Sequence, residues 1–339
     1  MNITVLGAGA WGTALAIALA ERHPVMVWDR SADIIHAAEK SRENKAALPG
    51  FKLPGQLRLT AVFDEALDHI QDKKSLLLVA TSVAGLRPVT ESLKRFPIPN
   101  LVWLCKGFEE NTGYLPHQVV SGIIPDSVSR GVLSGPSFAQ EVAAGLPCAL
   151  TIASDSPLLQ QQVIETANFG NMRIYSSDDM TGVEVGGAIK NILAIATGLS
   201  DGMGLGANAR AALMTRGLAE ITRLGMALGG KQETFMGLTG MGDLILTCTG
   251  DLSRNRQVGL ALAKGMSLDV IVAELGHVAE GVRCAQAVRM LAKSHQVEMP
   301  ITHAVAGVLF DGVSPREMLA QLLARDARNE ADHAYGKSA

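Results

Sequence analysis

A glycine-rich turn near the start of the chain constrains the fold more than any other feature. The short apolar run Ile3–Leu6 leads directly into Gly7-Ala8-Gly9-Ala10-Trp11-Gly12, and the alanine-rich stretch Ala14–Glu21 follows. A strand that turns through G-x-G-x-x-G into a helix opens a doubly wound sheet, because the glycines allow a tight turn and close packing of helix against strand. The sequence therefore predicts an α/β fold of the Rossmann type.

The same turn predicts a dinucleotide site. The helix N-terminus supplies amide groups and a partial positive charge to a pyrophosphate, and the glycines let the backbone approach it. Asp29 ends the second predicted strand, 20 residues after Gly9, where an acidic side chain binds the adenosine ribose in the manner that favours NAD. Arg30 follows and is placed to pair with the 2′-phosphate of NADP. We expect either cofactor to bind, with a modest lean towards NADP(H).

Short apolar runs alternate with longer amphipathic stretches from Asn2 to about Ser176, a pattern typical of βαβ units in a parallel sheet. The later predicted strands are Val25–Trp28, Leu57–Thr60, Leu76–Val79, Leu101–Cys105, Gly131–Ser134, Ala149–Ala153 and Met172–Tyr175. The predicted helices are Ala14–Glu21, Ile34–Lys40, Asp64–Ile70, Val89–Phe96 and Leu158–Asn168. Ser41–Gln56 is the longest irregular segment, and it is interpreted either as a mobile lid or as a surface loop.

After Ser177 the strand pattern fades, and helices separated by glycine-rich breaks are predicted. These helices are Met180–Leu199, Ala207–Leu228, Asp243–Cys248, Asn255–Lys264, Ser267–Leu275, Gly281–His295, Ile301–Phe310 and Pro315–Leu323. The 339 residues exceed what one core usually serves. We therefore predict a dinucleotide-binding Rossmann domain over residues 1–178 and an all-α substrate-binding domain over residues 179–339.

Two groups of residues follow predicted strands, at the edge where doubly wound sheets bind ligands. Lys106 follows the fifth strand and is placed to contact a substrate oxygen. The turn Gly135–Ala139 follows the sixth strand and offers backbone amides and the Ser137 hydroxyl to an anion or a carbonyl group. The same turn also suits a simple helix start with Pro136 in the first turn.

Lys190 lies in the almost wholly apolar segment Gly182–Ala196. Burial disfavours a charged ammonium and lowers its pKa towards the range in which a lysine exchanges protons near neutral pH. On a helix, Gly186 and Gly187 lie one turn before Lys190 and would leave room beside it for a small molecule. The segment also fits a lysine that covers an apolar face with its stem and keeps its ammonium in water.

Polar residues in the second half complete the candidate chemistry. Asp243 follows a glycine-rich run and is placed either to cap a helix or to orient a buried lysine. Ser253, Arg254 and Asn255 put a hydroxyl, a guanidinium and an amide side by side, a combination that holds a phosphate. The same run also suits a solvated helix start.

Composition and charge exclude several classes of protein. A net charge of −3 without a basic run gives no general attraction to nucleic acid or to an acidic membrane. The 4 cysteines are widely spaced with no C-x-x-C pair, which indicates free thiols in the cytoplasm and no metal site. Every long apolar stretch is broken by charges or glycines, so we expect no stable membrane insertion. Apolar helices in the second half favour a homodimer.

Together these motifs resemble the NAD(P)-dependent glycerol-3-phosphate dehydrogenases of bacterial type over essentially the whole chain. The matching segments are Gly7–Ala14, Lys106-Gly107, Gly135–Ala139, Gly187–Asn191, Leu199–Gly202, Gly206–Asn208, Thr215–Gly217, Gly242–Leu244, Ser253–Arg256 and Glu280-Gly281. One departure is Ala80-Thr81-Ser82, where the family often has Pro-Ser. The resemblance implies interconversion of dihydroxyacetone phosphate and sn-glycerol 3-phosphate, which feeds phospholipid synthesis.

The resemblance also implies roles for individual residues. Lys190 matches the proton donor and acceptor, and Lys106 and Asp243 match its supporting polar groups. Substrate positions are Lys106, Gly135, Ser137, Lys190, Asp243, Ser253, Arg254 and Asn255. With the glycine-rich turn included, cofactor positions are Gly7, Gly9, Ala10, Trp11, Gly12, Asp29, Arg30, Lys106, Ala139, Arg254, Val278 and Glu280.

Two alternatives stay open at the level of sequence. The first is another two-domain Rossmann reductase acting on a hydroxy acid or on ketopantoate, which would not need the phosphate-binding run at Ser253–Arg256 in this form. The second is a catalytically silent dinucleotide-sensing protein, which would need the glycine-rich turn but no buried lysine.

Overall fold

The structure is a computed structural model that describes residues 1–275 and 279–323. These residues form two units, each with its own apolar core. One unit is built around a sheet and the other consists of helices. The predicted order, an α/β half followed by a helical half, is confirmed.

Each of the two units is built from two separate stretches of the chain. The first joins Met1–Cys105 to Pro116–Met180, and the second joins Lys106–Leu115 to the described residues from Thr181 onwards. The segment after the fifth strand belongs to the second unit because Phe108 and Leu115 are buried in the apolar core of the helices. Lys106 therefore shares a unit with the residues of the helical half.

The first unit contains an eight-stranded sheet in the order β3-β2-β1-β4-β5-β6-β7-β8. Its strands are β1 Ile3–Leu6, β2 Val25–Trp28, β3 Arg58–Thr60, β4 Leu76–Val79, β5 Asn100–Trp103, β6 Ser129–Ser134, β7 Cys148–Ala153 and β8 Met172–Ser177. The strand order reverses between β1 and β4, and ligands of doubly wound sheets bind beyond the strand ends at such a point. All the predicted strands are present, with bounds shifted by one or two residues in several of them.

The last two strands differ from the predicted parallel sheet. β7 runs antiparallel to β6, with Val132 opposite Ala153, and β8 runs parallel to β7. The connection from β6 to β7 contains only the short helix Ala139–Ala143, of 5 residues, in place of a full crossover helix. The sheet is therefore mostly parallel with a reversed edge.

The helices of this unit are α1 Ala10–Leu19, α2 Ala32–Ser41, α3 Phe63–Asp68, α4 Val83–Leu93, α5 Pro116–Ser121, α6 Ala139–Ala143 and α7 Pro157–Ala167. The predicted set lacked α5 and α6 because helices of 6 and 5 residues are too short to show a helical period. α4 begins at Val83, before its predicted start at Val89. The predicted start was too late because proline usually breaks a helix, and Pro88 lies inside this one.

The long segment between α2 and β3, which we call the α2–β3 loop, packs against the rest of the first unit. Leu48 and Leu53 are buried. The Arg42 guanidinium donates to the carbonyl oxygen of Leu57 at 3.0 Å, and the Gln56 side chain donates to the carbonyl oxygen of Ala20 at 2.7 Å. These contacts favour the surface-loop interpretation over a mobile lid.

The helices of the second unit are α8 Met180–Gly202, α9 Gly206–Ala227, α10 Gln232–Phe235, α11 Asp243–Thr249, α12 Arg254–Ala263, α13 Leu268–Leu275, α14 Glu280–Ser294, α15 Pro300–Phe310 and α16 Pro315–Leu323. A π-helical turn, Leu238–Gly242, precedes α11. Among the described helices, α8 is the one long and apolar enough to cross a bilayer, and its apolar window is entirely buried inside the protein. α8 is thus the central helix of a packed domain.

Two glycines let α8 and α12 touch through their backbones. A Cβ atom on Gly198 would lie 2.1 Å from the carbonyl oxygen of Arg256, and one on Gly259 would lie 2.1 Å from that of Ile195. Both positions therefore exclude any larger residue. The contact brings the first turn of α12, which begins at Arg254, close to α8.

Gly198→Ala is expected to lower the free energy of unfolding by about 3 kcal/mol, because the added methyl group forces the two helices apart. Urea denaturation followed by circular dichroism measures the effect. Gly55→Ala is the control, since no described atom beyond its chain neighbours lies within 4 Å of its added Cβ, and its change should stay within about 0.5 kcal/mol. Equal stability of the two variants would contradict the backbone contact.

Candidate active site

Three polar residues meet inside the second unit. Lys190 on α8 is 6% exposed and Asp243 at the start of α11 is 1% exposed. The Lys190 ammonium donates to one carboxylate oxygen of Asp243, Oδ1, and the Lys106 ammonium donates to the other, Oδ2, at 2.7 Å. The carboxylate of Asp243 therefore lies between two ammonium groups, and the residues that the sequence proposes as catalytic lie together.

The surroundings of Lys190 set its acidity. Burial lowers the pKa of Lys190 from 10.5 to about 8; the Asp243 carboxylate opposes this shift and the Lys106 charge adds to it. A lysine with a pKa near 8 is charged at neutral pH and still releases its proton readily. Lys190 is thus suited to acid–base chemistry in a way that a solvated lysine is not.

The local fold explains why Asp243 reaches Lys190. The glycine-rich run before it forms the π-helical turn, and Gly240 lies so close to Phe235 that a Cβ atom would be 2.1 Å from the Phe235 carbonyl oxygen. Asp243 directs its carboxylate to the two lysines and makes no cap on α11, whose preceding residue is Gly242. The predicted orienting contact to a buried lysine is therefore present, and the capping interpretation is not.

Gly186 has a different role from the predicted one. A Cβ atom on Gly186 would lie 2.5 Å from the carbonyl oxygen of Thr239 in the π-helical turn. Backbone atoms thus fill the space that Gly186 was expected to leave for a small molecule. The prediction of open space was wrong at Gly186, because a missing side chain in a sequence does not show what packs against it.

Two residues that sequence reasoning did not assign to the site contact it. The Lys190 ammonium also donates to the Thr247 hydroxyl at 2.9 Å. Asn191 accepts a hydrogen bond at its Oδ1 from the side-chain amide of Asn255 at 3.0 Å. Thr247 lies one helical turn after Asp243 on α11, and this i, i+4 spacing was the signal available in the sequence.

The predicted phosphate-binding run forms the start of α12. The Ser253 hydroxyl accepts a hydrogen bond from the Arg256 amide at 3.3 Å and caps the helix, while Arg254 is exposed in its first turn. Asn255 is buried, and its Oδ1 accepts a hydrogen bond from the Gly281 amide at 2.9 Å. The run is a capped helix start that also presents a cation at the surface.

Arg256 pairs with a carboxylate on α8. Its Nε and Nη2 atoms donate to Asp201 Oδ2 on α8 at 3.0 and 2.8 Å, and Asp201 also accepts from Arg210 at 3.1 Å. This ion pair fastens the first turn of α12 to α8.

The glycine-rich turn of the first unit fits a dinucleotide. Gly7 has a φ angle of +119°, and a Cβ atom on Gly12 would lie 2.3 Å from the Gly7 carbonyl oxygen, so both positions require glycine. At Gly9, which is exposed, no described atom beyond its chain neighbours lies within 4 Å of a built Cβ. Gly9 has no side chain to cover the amides at the start of α1. An open space beside uncovered helix amides is what a pyrophosphate needs.

Asp29 has a structural role that the sequence did not reveal. Its Oδ2 accepts a hydrogen bond from the Ala8 amide and its Oδ1 accepts one from the Ser31 amide, both at 2.9 Å. The carboxylate therefore ties the glycine-rich turn to the end of β2. Arg30 beside it is exposed.

The remaining predicted positions are distributed over both units. Gly135 has a φ angle of +141°, and the Ser137 hydroxyl donates to its carbonyl oxygen at 3.1 Å. Ala139 begins α6 and Glu280 begins α14. Val278 lies outside the described residues. At the departure Ala80-Thr81-Ser82, the Ala80 carbonyl oxygen packs 2.8 Å from the Cβ position of Gly7, and Ser82 precedes α4.

One unit contains a glycine-rich turn that fits a dinucleotide, and the other contains a buried lysine with a lowered pKa. This combination is typical of a dinucleotide-dependent oxidoreductase. Family models for the NAD-dependent glycerol-3-phosphate dehydrogenase N-terminus and C-terminus match residues 2–159 and 179–320. The chain therefore belongs to the NAD-dependent glycerol-3-phosphate dehydrogenase family, as its resemblance to that family implied.

Individual relatives agree with the family. A glycerol-3-phosphate dehydrogenase [NAD(P)+] of Janthinobacterium sp. (strain Marseille) is 65% identical over 97% of this chain and 99% of its own length. The crystal structure of a glycerol-3-phosphate dehydrogenase from Coxiella burnetii has a TM-score of 0.91 at 39% identity, covering 96% of this chain and 99% of that one. A ketopantoate reductase from Ralstonia eutropha JMP134 shares the fold, with a TM-score of 0.59 at 13% identity over 95% of this chain and all of that one.

Arg256→Ala is expected to destabilise the protein by about 2 kcal/mol, because it removes two of the charge-assisted hydrogen bonds to the partly buried Asp201 carboxylate. Chemical denaturation measures the loss. Arg210→Ala serves as the matched control: Arg210 contacts the same carboxylate, but its side chain is 30% exposed, against 12% for Arg256. Its cost should stay near or below about 1 kcal/mol. Equal losses would show that the Arg256 contact has no special role.

Proposed function

We propose that this enzyme interconverts dihydroxyacetone phosphate and sn-glycerol 3-phosphate with NADPH or NADH, and that it supplies glycerol 3-phosphate for phospholipid synthesis. The observation that carries the proposal is the contact of Lys190 with Asp243 and Thr247 in a chain of this family. A carbonyl reduction needs one proton at the oxygen for each hydride at the carbon. Lys190 is the group whose acidity suits that proton transfer.

In this proposal Lys190, Asp243 and Lys106 each have a separate role in the reaction. When bound, the dihydronicotinamide supplies the hydride that reaches the ketone carbon. Lys190 gives its proton to the oxygen that becomes the alcohol, and in the reverse direction it takes this proton back. Asp243 orients the Lys190 ammonium through its carboxylate. Lys106, on the other oxygen of that carboxylate, adds positive charge close to the developing alkoxide.

The substrate phosphate is assigned to the start of α12. Arg254 supplies an exposed guanidinium, Ser253 caps the turn and Asn255 supplies a side-chain amide. Gly135 and Ser137 are proposed as further substrate contacts. A phosphate held away from the reacting carbon converts binding energy into orientation of the ketone. This run also separates the proposal from reductases of carboxylate substrates, which have no phosphate to bind.

The first unit is proposed to hold the dinucleotide. Gly7, Gly9, Ala10 and Gly12 form the turn at the pyrophosphate. The further proposed contacts are Trp11, Asp29, Arg30, Lys106, Ala139, Arg254, Val278 and Glu280. The exposed Arg30 supports the lean towards NADPH, because its guanidinium is available to a 2′-phosphate.

We also propose that the enzyme is a cytoplasmic homodimer that neither binds nucleic acid nor inserts stably into membranes. Large apolar side chains exposed on the helical unit, such as Met290 and Phe310, support association of two copies. None of the four cysteines, all of which lie in the described part of the chain, forms a disulfide, and this supports a reducing compartment. Sedimentation velocity at micromolar concentration measures the oligomeric state.

Dihydroxyacetone phosphate is expected to drive NADPH oxidation, whereas ketopantoate or the absence of substrate is not. Lys190→Ala should lower kcat by about 10²-fold to 10⁴-fold with a small change in KM, since only the proton transfer is removed. Arg254→Ala should lose both affinity and turnover. Absorbance at 340 nm follows each reaction. Turnover in Lys190→Ala comparable to that of the wild type would remove the lysine mechanism.

The two directions of the reaction should respond oppositely to pH. Because burial lowers the pKa of Lys190 to about 8, the ammonium that protonates the alkoxide is present below pH 8 and is lost above it. The kcat for ketone reduction should therefore fall as pH rises through about 8, and the kcat for alcohol oxidation should rise through the same range. Stopped-flow measurement from pH 6 to 10 tests this. A flat profile between pH 7 and 9 in both directions would exclude Lys190 as the titrating group.

A further inference from the structure

Asn44 is a buried polar side chain of the α2–β3 loop that none of the roles above uses. It is 3% exposed. We propose that Asn44 is a positioning residue for the glycine-rich turn: together with Asp29, it holds the Ala8 backbone in the conformation that leaves Gly9 open to a dinucleotide pyrophosphate. The inference rests on the proposed function, in that it takes this turn to be the dinucleotide site.

The side-chain amide of Asn44 is fully engaged. Its Nδ2 atom donates to the Ala8 carbonyl oxygen at 2.7 Å and to the Thr13 hydroxyl at 2.9 Å. Its Oδ1 atom accepts from the Ala47 amide at 3.3 Å. Both N–H groups are thus directed to the turn and to the helix that follows it. With no N–H left for a ligand, Asn44 acts through the residues it holds.

Asp29 holds the same residue at its other backbone group. The Ala8 amide donates to Asp29 Oδ2 at 2.9 Å, and the Ala8 carbonyl accepts from Asn44 at 2.7 Å. Asp29 follows β2 and Asn44 lies in the α2–β3 loop, so two separate segments fix one residue. The peptide groups on both sides of Ala8 are therefore held in place.

These contacts matter because Ala8 stands between two glycines. Gly7 and Gly9 lack the Cβ atom that restricts other residues, so the free turn would sample many conformations. A turn held in one conformation binds its ligand without a further ordering cost. The contact to Asn44 also keeps the Ala8 carbonyl oxygen, which would repel a pyrophosphate, engaged inside the unit. Asn44 thus favours the arrangement in which amide groups meet the anion.

The α2–β3 loop is anchored well enough to serve this purpose. Leu48 and Leu53 are buried on either side of Pro49-Gly50, and Gln56 donates to the Ala20 carbonyl oxygen at 2.7 Å. Gln56 provides a matched comparison for Asn44. Both residues lie in the α2–β3 loop, and the side-chain amide of each donates to a backbone carbonyl outside it. The Gln56 contact lies at the far end of α1, away from the glycine-rich turn.

The test compares NADPH binding by the full-length protein and its variants. Asn44→Asp places a carboxylate oxygen against the Ala8 carbonyl, and Asn44→Ala removes the donors without adding charge. Loss of two hydrogen bonds should raise the Kd for NADPH by about tenfold or more. The kcat at saturating NADPH and the KM for dihydroxyacetone phosphate should stay within about twofold of the wild type, because the second unit is untouched. Gln56→Glu should leave the Kd unchanged.

A second measurement needs no ligand and no activity. Amide hydrogen exchange in residues 7–12 of the free protein should accelerate in Asn44→Ala and not in Gln56→Glu, because only the first change releases Ala8. Wild-type NADPH affinity in Asn44→Ala, or equal weakening in Gln56→Glu, would overturn the proposal. If Asn44→Asp does not fold, Asn44→Ala decides. A wild-type protein that binds NADPH but does not reduce dihydroxyacetone phosphate would refute the proposed function and leave this inference open to the same binding test.

Discussion

The ion pair between Lys190 and Asp243 is the interaction on which the helical unit depends. An ammonium in the middle of the buried stretch of α8 costs several kcal/mol unless an opposite charge meets it. Asp243 meets it, and several features of the chain serve that contact. The π-helical turn carries the carboxylate to α8, and Gly186 permits the backbones to approach. With Lys106 as a second ammonium on the same carboxylate, the cluster of Lys190, Asp243 and Lys106 has a net positive charge, which suits an anionic substrate.

Much of the fold was predictable because buried strands appear as apolar runs bounded by turns. β1, β2 and β4 have the predicted bounds. The direction of β7 was not predictable, since periodicity shows that a strand exists and not which way it runs. The short helices α5 and α6 and the π-helical turn lie below the length at which a period can be recognised.

The candidate site was predictable to the extent that motifs carried it. Lys190, Lys106 and Asp243 were singled out by residue type and position, and the structure brings them together although Lys190 and Asp243 are 53 residues apart. The side-chain partners were harder to predict. Neither the hydrogen bonds of Asp29 to two backbone amides nor the pairing of Arg256 with Asp201 follows from a pattern, because such contacts arise only when distant segments pack. Gly186 shows the same limit, since the atoms that occupy its space come from residues far along the chain.

The glycine contact between α8 and α12 has a consequence for substrate choice. Lys190 stands on α8 and Arg254 on α12, and the two helices meet through main-chain atoms at Gly198 and Gly259. In the proposed mechanism, the separation between the proton donor Lys190 and the phosphate-binding turn at Arg254 is therefore set by the backbone contact of the two helices. Exchanging side chains in the site changes its charge and hydrogen bonding, whereas a substrate with a longer carbon chain would require the helices themselves to move. If Lys190 and Arg254 have the proposed roles, the length of substrate that fits between them is set by helix packing.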